Sequence, residues 1–174
     1  MPAGLVACAL ALVLAAGCSS SSKTPTIATV PGSGGVGAMP ASACSLASAK
    51  EVKDLLGTSA VGKPTDYAEY YKTCAWTGTG SDSMSVKVIR LGNGQMGFGT
   101  TIVGLTQSVI TGLGDKATYS TGRTSSGLNE SLLVTNKTFV SLSLDVRTQA
   151  APDAQTVKDR LTKLARDIFT ELNA

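Results

Sequence analysis

The residues of this chain best equipped for chemistry are four cysteines, Cys8, Cys18, Cys44 and Cys74, with a scatter of carboxylates, serines and lysines. Histidine is absent. That absence removes every Ser-His-Asp or Cys-His nucleophile set and every zinc site built on imidazole. A serine nucleophile would then need a lysine base, and the Ser-X-X-Lys spacing of such hydrolases does not occur in residues 44–174. Asp66 with Glu69, and Asp115 with Glu130, remain as carboxylate pairs for acid–base work, but surface solvation explains both more cheaply. Gly92-Asn93-Gly94-Gln95-Met96-Gly97 nearly matches a dinucleotide loop, yet it follows a hairpin strand instead of opening a βαβ unit. Gly112-Leu113-Gly114-Asp115 reads as a tight turn. These residues point away from an enzyme and call for no metal and no cofactor.

The cysteines carry the argument further. Fourteen of the first 17 residues are apolar, and every charged residue lies at Lys23 or later. The apolar run over residues 5–16 is shorter than the roughly 20 residues that span a bilayer, and it suits the core of a secretory signal. Leu14-Ala15-Ala16-Gly17-Cys18, followed by four serines, resembles the lipobox of bacterial lipoproteins. The resemblance implies diacylation of the Cys18 thiol and cleavage just before it, after a signal peptide over residues 1–17. Ala15 departs from the leucine that this pattern prefers. Met1-Pro2-Ala3-Gly4 holds no Lys or Arg, so the expected start of the natural chain lies upstream. Two acyl chains hold a protein stably on a membrane where one does so only marginally. The expected location is therefore the extracytoplasmic side of the cell membrane, reached through a lipid anchor.

With Cys8 lost and Cys18 acylated, Cys44 and Cys74 remain as an even pair in an oxidising compartment. A disulfide is the default expectation for such a pair. Residues 18–43 hold the acylated cysteine and a tether rich in Ser, Gly, Pro and Thr without periodicity. As a flexible coil, 25 such residues reach roughly 25–30 Å. The excess of 15 Lys and Arg over 12 Asp and Glu is too small and too dispersed to argue for nucleic acid.

Residues 44–174 must position whatever else matters. Ser48 and Glu51 have capping-box spacing, and Val52, Leu55 and Leu56 share a face before Gly57, which predicts a helix over 48–56. Residues 57–71 read as a loop with a tyrosine cluster. Alternation predicts a hairpin of strands 72–77 and 84–91, with Trp76 in the core. Residues 92–114 are ambiguous: Phe98, Ile102, Leu105 and Val109 keep helical spacing, against several glycines. A strand over 116–121 follows, then a hairpin of 131–135 and 138–146 turned at Asn136-Lys137. Asp153 caps a final helix whose stripe is Val157, Leu161, Leu164, Ile168 and Leu172. Its charged opposite face reads as solvated. The expected fold is α+β: an antiparallel sheet of about five strands with two or three helices on one face, and a weak internal duplication.

Cys44-Ser45-Leu46, then Lys50-Glu51-Val52-Lys53-Asp54-Leu55-Leu56-Gly57, Cys74-Ala75-Trp76 and Gly112-Leu113-Gly114-Asp115-Lys116-Ala117 occur in that order before the final helix. Together they resemble actinobacterial cell-envelope lipoproteins, of mycobacterial and nocardial type, with a domain of unknown function. The likeness covers roughly residues 42–172 and implies an exported, lipid-anchored domain with a Cys–Cys clip. It brings no catalytic residues. If helices cover Val86, Val88, Leu142 and Leu144, the other sheet face offers Ser85, Lys87, Ser141 and Ser143, beside Tyr70 and Tyr71. That face is the expected docking place for an envelope protein, glycan or lipid headgroup. A purely structural, assembly-assisting role is the alternative.

Overall fold

A computed structural model describes residues 39–90, 104–125, 127–136, 140–149 and 153–172. Its centre is one antiparallel sheet of seven strands in the order β1-β2-β3-β7-β6-β5-β4. The strands are β1 (Gly62–Pro64), β2 (Tyr71–Thr77), β3 (Ser83–Arg90), β4 (Thr106–Ile110), β5 (Lys116–Thr124), β6 (Gly127–Asn136) and β7 (Val140–Thr148). Two α-helices, α1 (Ala49–Leu56) and α2 (Ala154–Leu172), and a 3-10 turn over Ala43–Leu46 complete the described elements. The expectation of about five strands with two or three helices on one face is thereby corrected, since the fold is mostly sheet.

Three local readings account for the difference. Gly62–Pro64 pairs with β2 where a loop was expected. A Cβ at Gly62 would fall 2.7 Å from both Cys74 Sγ and Trp76 Nε1, so only glycine lets this edge approach so closely. Leu105 and Val109 keep helical spacing, yet residues 106–110 form β4, because glycines weaken a helix there and pairing with β5 suits the β-branched residues Thr106, Val109 and Ile110. β6 begins at Gly127, four residues before the expected strand, and pairs with β5 along its length. The rest of the ambiguous stretch, residues 92–103, and Lys137 of the expected turn lie outside the described residues. Among the described residues the elements do not repeat: a helix precedes the first three strands, whereas the other helix follows the last four.

Local chemistry sets the elements that were anticipated. Ser48 accepts the Glu51 amide while Glu51 Oε2 accepts the Ser48 amide at 2.8 Å, and Gly57 ends α1 at φ 72°. Asp153 Oδ1 accepts the Thr156 amide at 2.9 Å and starts α2. Cys44 and Cys74 are joined as a disulfide, with Cα atoms 5.0 Å apart. The bridge fastens the 3-10 turn ahead of α1 to β2. One face of the sheet contributes Met84, Val86, Val88, Leu132, Val134, Leu142 and Leu144 to a core shared with Val52, Leu55, Val157, Leu161, Leu164 and Ile168 of the helices. Strand periodicity turns the intervening residues to the far face.

Candidate functional site

The far face is built in register rows. Ala75, Ser85, Asp145, Ser131, Ser120 and Gln107 lie side by side across β2, β3, β7, β6, β5 and β4. Asp145 is the hub. Its Oδ1 accepts the Ser131 hydroxyl at 2.7 Å, and its Oδ2 accepts Lys87 Nζ at 2.7 Å and the Ser85 and Ser143 hydroxyls at 3.2 Å each. Lys87 comes from the next row, where it stands opposite Thr73 and Ser143. In the row on the other side, Arg147 Nε donates to Asn129 Oδ1 at 2.9 Å. Asn129 Nδ2 in turn donates to Thr124 Oγ1 at 2.8 Å.

Above these groups lies a cleft of about 580 Å³, lined among others by Ala75, Ser85, Lys87, Leu105, Asp145 and Arg147. Leu105 reaches it because Gly122 has no side chain, since a Cβ there would overlap Leu105 Cδ2. The volume lies within the range of small-molecule sites, and a mixed apolar and charged lining suits orientation of a ligand.

The structure brings some of the anticipated residues together and separates others. Ser85 and Lys87 line the cleft, and Ser143 supports it through Asp145. Ser141 lies on the same face one row further, buried, between Ile89 and Thr135. Tyr70, 50 % exposed, is elsewhere: it borders a separate hollow of about 460 Å³ with Glu69, Lys72 and Arg90. Tyr71 stacks on Tyr67 with ring centroids 4.8 Å apart. Trp76 is buried on the helix side, as its alternation implied.

Asp145, Ser131, Asn129 and Arg147 were not singled out from the sequence. Asp145 and Arg147 share the period-two face of Ser141 and Ser143, so alternation carried their signal. Ser131 and Asn129 needed the register of β6 against β7.

Asp115 and Glu130 do not meet as an acid–base set, and Asp66 is paired with a lysine. Asp66 Oδ2 is 3.1 Å from Lys72 Nζ. Asp115 sits at the turn before β5, whereas Glu130 pairs with Thr121, roughly 20 Å further along at the rise of a strand. Glu130 is instead a buried group on the helix side, 2 % exposed. Tyr119 Oη donates to its Oε2, and Thr121 Oγ1 donates to Oε1 at 3.3 Å. Burial raises the Glu130 pKa, against the lowering effect of those two hydroxyls. Burial and the neighbouring Glu130 together push the Tyr119 phenol upward as well. Lys158 Nζ of α2 lies 5.3 Å from the Tyr119 ring centroid. This cluster joins β5 and β6 to the start of α2.

Among the described residues no group of three or more His, Cys, Asp or Glu is placed to hold a metal ion. No helix among them is long and apolar enough to cross a membrane. No family model matches the chain, and neither a curated protein nor a solved structure is similar to it.

Proposed function

We propose that this protein is a lipid-anchored, extracytoplasmic binding module of the cell envelope, acting without catalysis through the cleft over Asp145. The cleft carries the reading. A charged hub held by four donors is costly to assemble on a sheet face, and it preorganises Lys87 and the serines around a concave space. The lipobox-like Leu14-Ala15-Ala16-Gly17-Cys18 supports the anchor, and the bridged Cys44–Cys74 pair suits an oxidising compartment. The motif order around those cysteines supports kinship with actinobacterial envelope lipoproteins.

Two measurements test this reading. Intact-mass analysis of envelope material is expected to find acyl mass on Cys18, and an unmodified Cys18 overturns the anchor. Crosslinking of whole envelopes, followed by identification of bound lipids, glycans and proteins, is expected to give a reproducible partner that Ser85→Trp loses by filling the cleft. A folded Ser85→Trp chain that retains the partner overturns the cleft as the binding site.

A second reading, an assembly-assisting protein with no small-molecule site, draws on exposed Val61, Tyr67 and Tyr70. It predicts a protein partner that Ser85→Trp leaves in place.

A further inference from the structure

We infer that the cleft takes an anion, a carboxylate or phosphate group held between Lys87 and Arg147; this rests on the cleft being a binding site. The argument is an account of hydrogen-bonding capacity. A carboxylate offers about four acceptor positions. Those of Asp145 are taken by Ser131, Ser85, Lys87 and Ser143. The three serine hydroxyl protons are thereby spent as well. Lys87 uses one of its three N–H bonds on Asp145, and Arg147 uses Nε on Asn129. The protons left over among the described cleft residues are therefore the remaining pair on Lys87 Nζ, those on both Nη atoms of Arg147 and the Ser83 hydroxyl, of which the first two groups are cationic.

Charge agrees with this account. Of the two acidic residues that border the cleft among the described residues, Asp145 faces Lys87, while the Glu130 carboxyl is held by Tyr119 and Thr121. An arginine Nη pair is suited to two oxygens of one planar carboxylate or of a phosphate.

The probes are inorganic phosphate, citrate and neutral glucose, each titrated into the 15N-labelled full chain while side-chain and amide resonances are followed. Saturable shifts of the Arg147 Nε–H and of the Ser85 and Lys87 amides are expected with phosphate or citrate. Arg147→Gln is expected to weaken binding at least fivefold, and so is Lys87→Gln. Arg147 is exposed, so its variant separates loss of binding from loss of fold. Shifts at these residues with glucose and with neither anion overturn the anion class yet leave the cleft a binding site. Anion affinity unchanged in Arg147→Gln overturns the assignment of that side chain and with it the proposal. Silence at these residues with all three probes overturns the anion proposal; the envelope crosslinking with Ser85→Trp then decides the cleft separately.

Discussion

Lys87 Nζ lies 2.7 Å from Asp145 Oδ2 across two adjacent antiparallel strands, although 58 residues separate the two in the chain. Neither side chain is deeply buried, at 35 % exposed for Lys87 and 31 % for Asp145. The pair's own Coulomb contribution is correspondingly small, of the order of 1 kcal/mol or less. The larger quantity is what Asp145 does for Ser131 and Ser143, which are buried and donate to it.

Asp145→Ala is therefore expected to destabilise the fold by about 1–3 kcal/mol, through stranded hydroxyls. Lys87→Met is expected to cost no more than about 1 kcal/mol. Urea unfolding of both variants checks the order. Equal losses would show that the ion pair, and not the serine network, dominates.

Removing the Cys44–Cys74 bridge frees a loop of 30 residues in the unfolded chain. Chain entropy gives an expected loss of about 3–4 kcal/mol. Urea midpoints with and without reductant measure it, and Cys44→Ser/Cys74→Ser should match the reduced protein. A loss below about 1 kcal/mol would mean that the 3-10 turn stays docked on β2 without the bond.

Stability should also depend on pH through Glu130. One Tyr119 proton faces two acceptors, Glu130 Oε2 and the Ala154 carbonyl at 3.2 Å, and a protonated Glu130 satisfies both. Asp153, which caps α2, and Lys158 and Asp159 within α2 are charges beside this cluster, of which Asp153 raises the Glu130 pKa further. Because the folded value lies above the unfolded one, this contribution is complete below the ordinary carboxylate range. It is lost as pH rises through the raised folded value. Asp153 has the opposite sign, since bonds from Thr156 lower its pKa and its contribution fades as pH falls. Thermal midpoints of the native chain and Glu130→Gln, compared across pH, should differ in slope above the ordinary carboxylate range. Parallel curves there would remove Glu130 as the cause.

Gly62→Ala is expected to destabilise by about 1–3 kcal/mol, because the added Cβ meets Cys74 Sγ and Trp76 Nε1 at 2.7 Å. A lowered thermal midpoint with a changed Trp76 fluorescence spectrum checks it. An unchanged spectrum and midpoint would show that β1 is free to shift away from β2.

Local sequence was enough for features whose causes are local. Ser48, Glu51 and Gly57 delimit α1 because cap and stop lie within one or two turns of each other. Alternation along 84–90 and 141–147 separated the core side of β3 and β7 from the side that carries Ser85, Lys87 and Ser143. The cysteine pair was legible from its number and expected compartment. Short edge strands were not, because β1 and β4 owe their extended form to the neighbours with which they pair and not to their own three or five residues.

What tertiary structure alone decided is the company each side chain keeps. Only the strand order places β3 beside β7, which turns a lysine, an aspartate and three serines from separate strands into one hub. Only the packing of α2 over β5 and β6 turns Glu130 from an apparently solvated carboxylate into a buried one. Hydrogen bonding and burial act between neighbours in space, and strand order and register, which set those neighbours, are global properties of the chain.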